Sequence, residues 1–198
     1  MTGRIVIEDI RPRTPSGRYP AKAVLGERMP VSAAIFRDGH DILAARVSMD
    51  GQVVPMVARG NDEWEAAIRP IRIGLHHLVV EAWTDRYATW AHKVEAKRAA
   101  GQDIDVEIAE GVVLFESCNG GDPAVHNALT ALKQGIVTPA LSVRLEGPEG
   151  APDFTKSDPV ALWVDRERAM VGAWYELFPR SYGGFRGTED RVPAVAAM

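Results

Sequence analysis

From Arg4 to about Ala96 apolar and polar residues alternate at the period of a strand, not a helix. In "EWEAAIRP", Trp64, Ala66 and Ile68 share one face while Glu65, Ala67 and Arg69 share the other. "MPVSAAIF" and "HHLVVEAW" are dense in strand formers and bounded by turn residues. Turn signals recur at Asp38-Gly39, Asp50-Gly51, Gly60-Asn61 and Gly74, and Asp-Gly supplies the positive φ that tight hairpins need. The spacing predicts about seven or eight short strands, as in an antiparallel sandwich. With a single cysteine the disulfide-bridged immunoglobulin form is excluded; a fibronectin-like sandwich is not.

From Gly101 the period changes. In "DIDVEIAEGVVLFES", Ile104, Ile108, Val112 and Phe115 fall on one face of a helix. "GDPAVHNALTALKQG" predicts a second helix, with Asp122 as N-cap, Pro123 at its first position, Val125, Leu129 and Leu132 on one face, and Gly135 past its end. "TPALSVRLEG" repeats the device with Thr138, Pro139 and Gly147. "GPEGAPDFTKSDP" reads as a linker, "VALWV" as a strand returning to the sandwich, and "GAWYELFPRSYGGFRG" as a buried strand running into a glycine-rich loop. "TEDRVPAVAAM" opens a further helix. The expected organisation is a sandwich over 1–100, a helical insert and linker over 101–157, a return strand over 158–171 and a further domain beginning at 172.

A net charge of −4, with Lys97-Arg98 the longest basic cluster, argues against a nucleic-acid surface. No segment reaches the roughly 20 apolar residues of a membrane span, and no signal-peptide pattern opens the chain. A soluble, cytoplasmic protein is expected. Cys118 lies in "ESCNGGDP" without an obvious histidine partner, which makes it a poor nucleophile candidate. His76 and His77 point to opposite faces of a strand and cannot chelate one metal. Glu63 and Glu65 share a strand face and read as its solvated side, not as an acid/base pair. Trp64, Trp83 and Trp90 suit either a core or a sugar-binding platform, with the core the commoner fate. Gly120-Gly121 and Gly183-Gly184 lack the context of a phosphate loop. No catalytic, cofactor-binding or metal-ligating residue is assigned, and no cofactor is expected.

"RIVIEDIRP", "GRYPAKAVLGE", "VSAAIFRDGHD", "VEAWTDRYATWAHKVEAKRAAGQD" and "LWVDRERAMVGAWYELFPRSYGGFRG" together resemble the N-terminal part of the α-1,4-glucan:maltose-1-phosphate maltosyltransferases, members of the α-amylase clan. The resemblance covers almost the whole chain and is weakest between about Cys118 and Asp158. It implies a β-sandwich that helps form a homodimer, a helical insert that is abbreviated here, and then a (β/α)8 barrel whose first strand is "WYELFPRS". The implied reaction moves maltosyl from maltose 1-phosphate to the non-reducing end of an α-1,4-glucan, with retention of configuration and release of phosphate. Retention calls for two carboxyl groups about 5 Å apart, and in this clan they stand on later barrel strands. The chain is therefore expected to be a fragment that scaffolds an enzyme and carries none of its catalytic residues. An independent carbohydrate-binding module is the rival reading, favoured if two sandwich tryptophans are exposed on one face. A self-sufficient small enzyme is a weaker one.

Overall fold

The computed structural model describes residues 4–117, 123–137, 151–172 and 175–196. They fall into two compact units, Met1–Asp165 and Arg166–Met198.

The first unit is mainly β. One sheet runs in the order β1 (Ile5–Arg11), β3 (Met29–Arg37), β7 (Glu63–Ile68), β6 (Val57–Gly60). The other runs β2 (Ala21–Val24), β10 (Val160–Asp165), β8 (Gly74–Thr84), β4 (Leu43–Met49), β5 (Gln52–Pro55), with the two-residue β9 (Thr155–Lys156) also on β8. Alternation does the sorting. Along β3, Met29, Val31, Ala33 and Ile35 are buried while Pro30 is exposed and Ser32, Ala34 and Phe36 are half-buried. They meet Val47, Val80, Leu78, Leu162 and Val164 of the other sheet in one core, an arrangement compatible with a β-sandwich. The β4–β5 hairpin closes through Asp50 at φ 53 and Gly51 at φ 80, the positive-φ pair that a two-residue turn demands.

Several expectations need correction. The strand pattern stops at Thr84, because Asp85 caps a helix, α1 (Arg86–Ala99), by accepting the Ala88 N–H at 2.8 Å. Trp90 thus sits on a helix and not in the sandwich. The return strand β10 pairs antiparallel with β8 but parallel with β2, a pairing that the long crossover between them permits. The proposed linker is partly structured: Thr155 and Lys156 add to β8, and the Ser157 N–H donates to the Val80 carbonyl at 2.9 Å.

The "DIDVEIAEGVVLFES" helix exists as α2 (Asp105–Ser117); Phe115 of its predicted stripe is fully buried and Ile104 and Val112 pack against the same core, while Glu107, Gly111 and Leu114 extend the buried face to one side. α3 (Pro123–Lys133) buries Val125, Leu129 and Leu132 and ends before Gly135 at φ 75. Asp122 and the predicted "TPALSVRLEG" helix lie outside the described residues.

The second unit holds two single 3-10 turns, Glu167–Met170 and Pro179–Tyr182, and the helix α4 (Phe185–Ala196). Tyr175 to Phe178 forms no strand, and Tyr175 and Phe178 are 50% and 69% exposed, so the buried strand expected there is not present among the described residues. Gly183 and Gly184 take φ 76 and 95 and terminate the turn before α4.

Candidate functional site

The helices of the first unit make a second core of their own. Trp90 and Val94 of α1, Leu114 and Phe115 of α2, and Val125, Ala128, Leu129 and Leu132 of α3 are buried together. Phe115 meets Trp90 and Tyr87 edge-on, with ring centroids 5.6 and 6.0 Å apart, geometries that add to area burial. The Trp90 indole N–H donates to the Glu107 carbonyl at 2.6 Å. Glu107 itself is buried and ion-paired with Lys97 at 2.5 Å; that hydrogen bond holds its carboxyl below the usual range against the upward push of burial.

Between α1, α2 and the sandwich rim lies a groove of about 610 Å3. Trp90 and Leu114 form apolar wall, Asp41 and Thr84 belong to the rim, and Arg86, Lys93 and Glu110 also line it. On α2 its lining residues Val106 and Val113 are 64% and 66% exposed. Nothing in this lining pairs a nucleophile with a base.

The residues singled out in the sequence scatter. His76 is buried with Nδ1 2.6 Å from Asp50 Oδ2, while His77 is exposed. Burial pushes the Asp50 carboxyl up, but hydrogen bonds from His76 and Arg72 hold it below its ordinary value. Glu63 is exposed and Glu65 pairs with Arg59 at 2.8 Å. Trp64 is 9% exposed, its indole N–H donating to the Ile35 carbonyl at 3.1 Å. Trp83 is half-buried against Phe154 and Arg46. Cys118 and Gly120-Gly121 lie outside the described residues. Among the described residues no group of three His, Cys, Asp or Glu could hold a metal ion, and no helix is long and apolar enough to cross a membrane.

Known proteins align with this sequence. A family model for α-1,4-glucan:maltose-1-phosphate maltosyltransferase, domain N/S, matches residues 3–166. The chain belongs to this maltosyltransferase family. α-1,4-Glucan:maltose-1-phosphate maltosyltransferase 1 of Streptomyces coelicolor is 38% identical over 100% of this chain and 34% of its own length. The maltosyltransferases of Rhodospirillum rubrum and Mycobacterium tuberculosis are 36% and 32% identical, over 98% and 92% of this chain. The chain spans about a third of the length of these curated relatives. The alignment with the Streptomyces protein runs to 229 positions against 198 residues here, so that maltosyltransferase carries segments this chain lacks.

The matched N/S region ends one residue beyond the break between the two units. Inside it, the groups that tie the returning segment to the sheets escaped the sequence reading. Asp153 lies 3.1 Å from Arg37, accepts the Thr84 N–H at 3.1 Å and also bonds the Thr84 hydroxyl. Glu81 bridges Arg46 at 2.6 Å and Lys156 at 2.8 Å across three neighbouring strands. The available signal was register: Arg46 and Lys156 are the cross-strand partners of Glu81.

Proposed function

We propose that this chain is the non-catalytic N-terminal scaffold of a cytoplasmic maltosyltransferase and joins two copies of the parent enzyme. The parent transfers maltosyl from maltose 1-phosphate to the non-reducing end of an α-1,4-glucan, retaining configuration and releasing phosphate. The observation that carries this reading is the match of residues 3–166 to the N/S domain of that family. Its two sheets are taken as an immunoglobulin- or fibronectin-like sandwich. Tyr175 to Phe178 becomes a barrel strand once neighbouring strands of a longer chain hydrogen-bond it. The catalytic carboxylates belong to such later strands.

In this reading a partner copy covers Val106 and Val113, which are 64% and 66% exposed. The carbohydrate-module rival asks for two sandwich tryptophans exposed on one face, yet Trp64 is 9% exposed and Trp83 half-buried, which leaves Trp163, at 40%, as the one exposed tryptophan among the described residues. Sedimentation velocity tests the reading. The chain should run at twice 21.6 kDa, Val113→Asp should run as a monomer, and neither should release phosphate from maltose 1-phosphate. A monomer at micromolar concentration would remove the pairing role. Phosphate release lost on mutating an acid within the chain would remove the scaffold reading altogether.

A further inference from the structure

A second cleft, of about 440 Å3, opens at the sandwich edge between β1, the loop that follows it and the segment entering β10. Its floor includes Ile10 and Val160, and its polar lining includes Glu8, Asp9, Arg13, Tyr19 and Asp158. The volume lies within the roughly 300–1,000 Å3 of small-molecule sites.

The lining is built in place. β1 is bulged between Glu8 and Arg11, which re-aims its side chains. Asp9 stands at φ 50, in the left-handed region that aspartate enters more readily than most non-glycine residues. Gly17, at φ +63, lets the Arg13 guanidinium lie against the backbone: a Cβ there would stand 2.6 Å from Arg13 Nε. The Thr14 hydroxyl donates to the Tyr19 carbonyl at 2.7 Å and holds that loop closed. Arg18 lies 5.9 Å from the Tyr19 ring centroid, yet the residue stays 66% exposed.

The chemistry of the lining selects the ligand. Among the described residues, Glu8, Asp9, Arg13 and Asp158 form no ion pair with one another, so their donors and acceptors remain available. Three carboxylates against one guanidinium repel phosphates and other polyanions. The carboxylates also do not converge as a metal site would. Carboxylates and a guanidinium satisfy paired hydroxyl groups, and an open phenol ring offers an apolar face with a polar tip. We infer that this cleft binds a neutral oligosaccharide, a short stretch of α-1,4-glucan. The choice of α-glucan over other sugars rests on the function proposed above.

Isothermal titration of the chain with maltoheptaose, cellopentaose, maltose and maltose 1-phosphate tests this. Saturable binding of maltoheptaose is expected, weakened at least ~10-fold by Tyr19→Ala and by Asp158→Asn, about 1.4 kcal/mol or more, with far-UV circular dichroism unchanged. Val53→Ala, on the exposed face of β5, should bind as the parent does. No binding of either neutral sugar at millimolar concentration overturns the inference and leaves the scaffold reading standing. Binding indifferent to both cleft variants overturns it as well. Cellopentaose bound in place of maltoheptaose, with the same sensitivity to Tyr19→Ala, keeps a sugar cleft but overturns its assignment to α-glucan. Maltose 1-phosphate binding tighter than maltose overturns the neutral ligand class.

Discussion

The indole of Trp90 lies against Gly111 so closely that a Cβ on that glycine would stand 2.6 Å from Cζ2 of the ring. The ring cannot easily retreat, since its N–H is bonded to the Glu107 carbonyl and Tyr87 and Phe115 flank it. In an open helix Gly→Ala would stabilise by about 1 kcal/mol. Here overpacking should cost about 1–3 kcal/mol and reverse the sign. Gly111→Ala is expected to lower the urea midpoint and to reduce the near-ultraviolet dichroism of tryptophan. A raised midpoint would mean that the indole has room to shift.

Glu81 is expected to govern acid stability. Burial pushes its carboxyl up, while the hydrogen bonds from Lys156 and Arg46 bring it below its ordinary value. Because the folded value is the lower one, the stabilisation is complete above the ordinary glutamate value of about 4.3 and fades as pH falls through the folded value. Glu81→Gln should cost about 2 kcal/mol near neutral pH, less than breaking a fully buried pair, because Lys156 is 58% exposed. Urea midpoints across the acid range should be flatter for Glu81→Gln than for the parent. Parallel curves would show that other carboxylates carry the effect.

Legibility in the sequence followed what each element buries. Strands such as β3 and β7 were plain because they pack one apolar face on one core. α3 was plain because Val125, Leu129 and Leu132 form a continuous stripe. α1 was not, since the strand formers of β8 run up to Asp85 without a glycine or proline; the i, i+4 spacing of Trp90 and Val94 was the missed signal. On α2 the stripe marked only one side of the buried face, because the helix also packs through a glycine and an ion-paired glutamate, which no hydrophobic pattern marks. Asp153 and the 440 Å3 cleft escaped for a further reason. Each joins residues more than a hundred positions apart, which only the fold brings together.

Asp50 carries two roles that substitution should separate. It occupies a left-handed turn position at φ 53, and its carboxylate lies 2.6 Å from His76 and 2.9 Å from Arg72. Asparagine tolerates that backbone but brings no charge, whereas alanine loses both. Asp50→Ala should therefore fall below Asp50→Asn in thermal stability by about 1 kcal/mol or more. Equal losses in the two variants would assign the whole effect to the ion pair.

The helical module should be separable from the sandwich, provided the cut respects which core each residue serves. Thr84 and Asp153 are hydrogen-bonded, so the two ends of the excursion already stand side by side. Joining Asp85 to Ala151 through a short linker, which removes 86–150, takes the three helices away with their own core. It leaves Asp153 on Arg37 and β9 on β8. The shorter connection changes loop closure by only about 0.6 kcal/mol per halving of length; the bonds given up include that from the Ile42 N–H to the Thr89 hydroxyl and those that Asp85 accepts from Ala88 and Thr89. Removing 101–157 instead strips Asp153, β9 and Ser157 and leaves Trp90 and Val94 uncovered. Each of those two side chains gives up roughly 1.5–3 kcal/mol of burial. The 86–150 deletion should therefore unfold in one cooperative step, at a higher urea midpoint than the 101–157 deletion and with less binding of a hydrophobic dye. Two deletions of equal stability would mean that β9 and Asp153 contribute nothing to the sandwich, and a non-cooperative 86–150 variant would make the helices part of its core.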